Sequence, residues 1–352
     1  MKVLYLSSFH PVLEHNHLSM LDALGIEWFS TGISLDTDNC IGSGHLSIRP
    51  KLTSELTMEY KDEFLSINPN YFKFFSGLSC PSTKLSKEFV NKFDIILSCN
   101  PRVLLDSWSL LRHKPVVLVT CGNTHSMELK LTPLVTEGLK IVRGSRSEFT
   151  INNCNQGFLI PCFVDDRIYR NWEGTESSIL SFQSHFKERR NTLPVQSYLK
   201  ATKGLDTKVF GAYAKGNKDP LVIGTLTYEE QVKAYRKCGL YFCISNGVAP
   251  VTFNFLEALV MGVPVVCFGP KIGGSTMVDI SLKSIYNQHN LIENGVDGFY
   301  SDNVEELKDY SKLLLSDKKL AREIGKSGRD RGIGTFGKNT VVNQWRDFIN
   351  GL

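Results

Sequence analysis

The stretch from Asn246 to Gly269, NGVAPVTFNFLEALVMGVPVVCFG, decides the fold. It follows Tyr241 to Ile244 (YFCI), an apolar run suited to a buried strand. A polar turn comes next, and then Phe253, Leu256, Leu259 and Val260 recur at helical spacing behind Thr252, which has the chemistry of a cap. Gly262 stops that helix, and Pro264 to Phe268 reads as a second buried strand. Glu257 is the one carboxylate inside this greasy helix. A charge there must face water or a partner, because burying it alone is expensive. A ribose presents two adjacent hydroxyls to such a group, and a helix amino end presents free N–H groups to a diphosphate. The plainer reading is an ordinary exposed helix glutamate.

Leu256-Glu257-Ala258, Gly262, Pro264, Val265 and Val266 resemble the donor-binding segment of glycosyltransferases of the GT-B fold. There, a glycine-rich turn leads into a helix carrying "EA" and then "G-PVV". Leu291 to Glu306 (LIENGVDGFYSDNVEE) is similar to the family's "I-x-x-G-x-x-G" passage, with a helix expected over Leu307 to Arg331. Phe158 to Val164 (FLIPCFV) and Asp165-Asp166 resemble the "IP-x-x-V-D" exit from the first domain. The resemblance implies an α/β protein of two doubly wound, Rossmann-like domains facing each other across a cleft. The expected division is residues 1–165 on the acceptor side and 166–335 for the nucleotide sugar. A final helix over 336–352 would pack back on the first domain. One departure is plain: many relatives carry a second glutamate eight positions before Glu257, where this chain has Ala249 beside Pro250.

At 352 residues the chain is long enough for two such domains, and 42% hydrophobic with 22% charged residues is ordinary globular composition. Nine cysteines, an odd number without CxxC spacing, suggest reduced core thiols rather than a disulfide framework or zinc site. Met1-Lys2 runs straight into the strand-like VLYLS, so no signal peptide is expected, and no run approaches a membrane span. The expected location is the cytoplasm, a host's cytoplasm if the gene is a bacteriophage's. The net charge of +4 comes from the second half, chiefly between 187 and 237. That suits a diphosphate but is too weak to argue nucleic acid from charge alone.

In the first half, Lys2 to Ser7, Ile26 to Ser30, Asp94 to Cys99, Pro115 to Thr120 and Lys140 to Val142 read as strands. Leu18 to Leu24 and Ser86 to Lys92 read as helices, and residues 40–80 fit the alternation worst, as an insertion or lid would. Ligands in such sheets sit at the carboxyl ends of strands, which directs attention to Ser8 to His17, Cys99 to Pro101 and Cys121 to Ser126. The first loop holds His10, Glu14, His15 and His17, and His10 or Glu14 is a candidate general base for an acceptor hydroxyl. Metal binding is the rival, but Pro11 is read as interrupting any helix there and no distant third ligand appears, so no metal is expected. Capping of the first helix is the bland alternative. His125 stands where members of the family often carry a donor-contacting histidine.

In the second half, Ser178 to Phe182 reads as the first strand, followed by SHFKERRN. Lys187, Arg189 and Arg190 are placed to neutralise a leaving diphosphate; a solvated basic turn is the alternative. Thr207 to Phe210 and Leu221 to Ile223 continue the sheet, and Tyr228 to Lys237 reads as a helix. Gly224 and Leu226 lie in IGTL, where relatives receive the nucleotide base. Pro250, Val251, Thr252, Phe253 and Asn254 complete the expected donor contacts. Two further motifs are set aside. Asp36-Thr37-Asp38 is a lone DxD in a polar turn, and Ile272-Gly273-Gly274-Ser275 lacks the GKS/T ending of a phosphate loop.

The implied activity is sugar transfer from a nucleoside diphosphate sugar, a UDP-sugar as co-substrate, to a hydroxyl, with retention and without metal. In retaining relatives the donor's own phosphate can take the acceptor proton. A looser similarity to bacteriophage enzymes that glycosylate hydroxymethylcytosine sets DNA beside a bacterial surface glycan as acceptor. Cations expected to line a DNA path are Lys187, Arg189, Arg190, Lys215, Arg102 and Arg143. A nucleotide-sugar epimerase or hydrolase of the same fold, and a non-catalytic nucleotide-sugar-binding protein, are the alternatives.

Overall fold

The computed structural model describes residues 1–8, 10–35, 49–50, 52–71, 83–120, 122–123, 125–150, 156–213, 216–245, 252–275 and 286–352. They form two compact units, one of Met1–Gly144, Asn152–Cys162 and Val342–Leu352, the other of Ser145–Ile151 and Phe163–Val341.

The first unit runs β1 (Lys2–Leu6), α1 (Pro11–Ala23), β2 (Glu27–Ser30), α2 (Glu55–Ile67), α3 (Lys87–Asn91), β3 (Ile95–Ser98), α4 (Pro101–Leu111), β4 (Val116–Thr120), α5 (His125–Thr136), β5 (Lys140–Arg143) and β6 (Phe158–Leu159). Its six strands are parallel in the order β2-β1-β3-β4-β5-β6. Runs such as IILS and VVLVT are buried along their whole length, as strands covered on both faces must be. Phe29, Phe64, Phe89 and Phe93 pack ring against ring in the core between the sheet and α2–α3. Residues 40–80, which sequence reading left irregular, thus contribute α2, capped by Ser54.

Pro11 does not interrupt a helix, as the sequence reading had it: it begins one. In the first turn a missing N–H removes no intrahelical bond, and the fixed φ of proline suits the position.

The second unit runs β7 (Ile179–Phe182), α6 (Phe186–Arg189), α7 (Val195–Ala201), β8 (Thr207–Phe210), β9 (Val222–Gly224), α8 (Tyr228–Lys237), β10 (Leu240–Cys243), α9 (Phe253–Met261), β11 (Val265–Phe268), α10 (Pro270–Ser275), β12 (Phe299–Ser301), α11 (Val304–Ser316) and α12 (Lys318–Phe336). A last helix, α13 (Lys338–Asn350), belongs to the second unit up to Val341 and to the first from Val342 onward. The sheet order is β12-β11-β10-β7-β8-β9, again parallel throughout. The single helix expected over Leu307 to Arg331 is two, because Asp317 turns the chain and caps α12 through the Lys319 and Leu320 amides.

α9 is the helix with the deepest packing. Seven of its nine residues, Phe255 to Met261, are buried, each large apolar side chain contributing about 1.5–3 kcal/mol. Its end is fixed by Gly262, whose φ of 86° belongs to the left-handed region. α12 crosses so close that a Cβ on Gly325 would lie 2.2 Å from the Gly262 carbonyl oxygen, so alanine there would force the helices apart. Arg329 of α12 donates to the Val260 carbonyl, setting a cation at the negative end of α9.

Candidate functional site at the second switch point

An open parallel sheet binds ligands where its strand order reverses, beyond the carboxyl ends of the two strands concerned. In the second sheet those strands are β7 and β10. β7 delivers the loop to α6, and β10 delivers Ser245 and then, beyond residues 246–251, the amino end of α9.

Thr252 is the N-cap of α9 but makes no side-chain cap. Its hydroxyl is held elsewhere, accepting from Gln288 Nε2 at 2.7 Å and lying 3.2 Å from Ser245 Oγ. Gln288 is fully buried, and its side-chain oxygen accepts from the Asn287 amide, which orients the NH2 group toward Thr252. The N–H groups of Phe253 and Asn254 have no acceptor among the described residues. The short helices α6 and α7 also lack a side-chain cap, whereas α1, α2, α4, α8, α11 and α12 are each capped by a side chain. An amino end left in this state carries a partial positive charge available to an anion.

One turn along, Glu257 is 2% exposed. Its Oε2 accepts from Gln231 Nε2 at 2.9 Å and lies 3.3 Å from the Tyr235 hydroxyl, which also donates to the Asn254 carbonyl. Burial and the adjacent Glu257 charge push the Tyr235 phenol well up, keeping it a donor. The carboxylate is therefore not the exposed helix glutamate of the plainer reading. Gln231 and Tyr235 were not singled out in the sequence. Their signal is a glutamine four residues before a tyrosine on a helix whose other faces are charged.

Lys187, Arg189 and Arg190 do not share one role. Arg190 donates to Asp219, a carboxylate only 2% exposed, at 2.6 Å. Lys187 is exposed. Arg189 is held half-buried with no carboxylate partner among the described residues, and desolvation alone lowers its pKa. The loop that carries them turns at His185, whose φ of 53° is rare for a residue with a side chain. Gly224 has open space where a Cβ would stand, while its carbonyl accepts from Gly211. Leu226 lines a cavity of about 200 Å³ beside Phe210 and Lys233.

In the first unit the corresponding residues are largely engaged. His10 caps α1 by accepting from the Leu13 amide. Glu14 is 3% exposed and accepts from Ser7 Oγ, Ser30 Oγ, Ser34 Oγ and the amides of Ile33 and Ser34, at 2.7 to 3.1 Å. His17 Nδ1 lies 3.0 Å from the Tyr5 hydroxyl and 3.2 Å from Cys99 Sγ, and burial lowers its pKa to about 4. His125 opens α5, and its Nδ1 is buried without a hydrogen-bond partner among the described residues. Arg143 corrects an expectation: it is not a cation lining a path for DNA. Its guanidinium is 1% exposed and grips Glu128 through two bonds of 3.1 and 3.0 Å. Arg102 is exposed on α4. Ala249, Pro250, Val251, Lys215, Cys121 and the Asp36-Thr37-Asp38 motif lie outside the described residues. No helix among the described residues is long and apolar enough to cross a membrane.

No family model matches this sequence, and no curated protein sequence does. Solved structures do match over the whole chain. A sucrose-phosphate synthase from Thermosynechococcus elongatus aligns at a TM-score of 0.64 with 12% identity, covering 100% of this chain and 98% of that one. HepE from Anabaena, solved with UDP and glucose, aligns at 0.63 with 13% identity and 100% of both chains. An alpha-glucosyltransferase solved with UDP-glucose and DNA containing an abasic site aligns at 0.60 with 12% identity, covering 99% and 98%. With two parallel six-stranded sheets matching these neighbours along their full length, the chain has the GT-B fold.

Proposed function

We propose that this chain is a glycosyltransferase that uses a UDP-sugar and transfers the sugar to a hydroxyl with retention of configuration. The observation that carries the reading is the switch point of the second sheet. There an uncapped α9, a buried carboxylate one turn later and the desolvated Arg189 guanidinium offer the three chemistries a nucleoside diphosphate needs. Two of the GT-B neighbours were solved with UDP or UDP-glucose. In this proposal Glu257 accepts from the ribose hydroxyls, and the amides of Phe253 and Asn254 with Arg189 hold the diphosphate, on which charge builds as the glycosidic bond breaks. Arg190 is assigned to Asp219 and Glu14 to holding the turn after β2, so neither is retained as a reacting group. His125 stays as the catalytic candidate of the first unit. With Glu14 enclosed by donors, the acceptor proton is assigned to the donor phosphate.

The test is thermal denaturation with a panel of nucleoside diphosphates. A ligand at a hundred times its Kd stabilises by about 2.7 kcal/mol. UDP release with UDP-glucose that depends on added acceptor supports transfer. Turnover of donor alone would indicate hydrolysis or epimerisation, and binding without turnover a binding protein.

For the acceptor, we infer hydroxymethylated cytosine in DNA, a reading supported by the DNA-bound neighbour of matching length. The loss of Arg143 to an internal pair weighs against it. A duplex contacted at about six phosphates loses on the order of a thousandfold in affinity between 50 and 200 mM salt. Label appearing only on modified DNA, with that steep salt dependence, supports the inference. Label on a surface glycan extract with flat salt dependence overturns it.

A further inference from the structure

The Glu257 carboxylate does not choose its own direction. α8 presents Gln231 and Tyr235 on one buried face, four residues apart, and both reach α9 at two successive levels. At the first level Gln231 Nε2 lies 3.2 Å from Asn254 Oδ1, and the Tyr235 hydroxyl donates to the Asn254 carbonyl at 2.8 Å. At the second level the same two groups meet Glu257 Oε2 at 2.9 and 3.3 Å. All three side chains are at most 3% exposed, so water does not substitute for these donors. Glutamine supplies only N–H to the carboxylate from this direction, and the phenol, kept protonated by burial and the adjacent charge, shares its one proton between the Asn254 carbonyl and the carboxylate.

We propose that Gln231 and Tyr235 are positioning residues that hold the Glu257 carboxylate aimed, and through it make the site selective for a ribose over a deoxyribose. The proposal rests on the donor reading above and names what sets its sugar specificity. A carboxylate accepting from vicinal hydroxyls discriminates by geometry: if it can rotate, the second hydroxyl loses its partner. Neither α8 residue touches the nucleotide in this scheme; each acts on the carboxylate that does.

The experiment compares UDP with 2′-deoxy-UDP by calorimetry in the full-length wild type, Gln231→Leu, Tyr235→Phe, Glu257→Ala and Gln231→Leu/Glu257→Ala. Wild type should prefer UDP by at least about tenfold, the worth of one hydrogen bond to a charged group. Gln231→Leu should lose most of that preference by weakening UDP while 2′-deoxy-UDP is nearly unchanged. Tyr235→Phe, which removes one oxygen and keeps the ring, should move the ratio the same way and serves if the leucine variant misfolds. In the Glu257→Ala background, Gln231→Leu should leave the ratio where it is. Equal weakening of both nucleotides would mean a packing role and overturn the proposal. So would a wild type that binds both alike. A wild type that binds no nucleoside diphosphate would instead remove the donor reading on which this one stands.

Discussion

The two sheets are built alike yet treat their switch points differently. In the first unit the polar groups near the reversal between β1 and β3 satisfy one another. Glu14 collects five donors, His17 sits against Tyr5 and Cys99, and Asn100 caps α4. In the second, the cap of α9 is diverted and Arg189 is desolvated without a carboxylate beside it among the described residues. Unmet polar groups cost stability, so a fold that keeps them at one switch point and not at the other has a reason to do so. The difference teaches that the sheet common to both units is scaffold, and that ligand chemistry is read from which strand ends remain unsatisfied. His125, whose Nδ1 after β4 has no hydrogen-bond partner among the described residues, is the first unit's exception.

The sharpest way to break the comparison is to open a satisfied pair in the first unit. Arg143→Leu should take the guanidinium from Glu128, a carboxylate at 2% exposure, with a loss of about 3–5 kcal/mol. The double variant Arg143→Leu/Glu128→Leu should recover much of that in urea denaturation. If the first unit is scaffold at this point, UDP binding by the folded fraction stays as in wild type.

Next in size is His17. Its pKa in the folded chain is about 4 against an ordinary 6.5, so between these values the unfolded chain binds more protons. Stability is therefore intact above pH 6.5 and falls as pH drops toward 4, with a slope of up to about 1.4 kcal/mol per pH unit. His17→Asn should flatten that part of the stability profile relative to wild type. An unchanged profile would show that the imidazole is not the buried neutral group the structure describes.

At the second switch point, Glu257→Ala and Arg189→Ala should each lower UDP affinity by about 1.5–3 kcal/mol. They should differ in kind: Arg189→Ala leaves uridine binding intact, whereas Glu257→Ala weakens uridine and UDP together. Arg190→Ala, which strips Asp219 of its partner, should appear in stability rather than in the UDP-to-uridine ratio.

Much of this was legible before the structure. The buried runs over 240–244 and 264–268, the glycine stop at 262 and the helix between them follow from period and composition. What local sequence could not show is which polar groups meet. Nothing around Gln288 announces that its amide will turn Thr252 from its cap, because the partners are 36 residues apart. Arg143 and Glu128 look like two surface charges until the sheet brings them together. Pro11 misled for a different reason: proline ends a helix from inside and starts one from its first turn, and only the position of the cap separates the cases.

The smallest expected effect bears on the comparison most directly, because it sets two threonines of the same unit against each other. Thr227 and Thr252 are both N-caps with extended backbone, preceding α8 and α9. Thr227 closes a capping box, its hydroxyl accepting from the Glu230 amide while the Glu230 carboxylate accepts from the Thr227 amide. Thr227→Ala should therefore cost about 1 kcal/mol of stability, and added UDP should raise the melting temperature of this variant as much as that of wild type. Thr252 caps nothing, so any loss on Thr252→Val comes from the hydroxyl's contacts with Gln288 and Ser245, and uridine and UDP should be affected together. If Thr252→Val instead cost a full cap and left nucleotide binding untouched, the amino end of α9 would be closed like that of α8. The contrast between the two switch points would then rest on Arg189 and Glu257 alone.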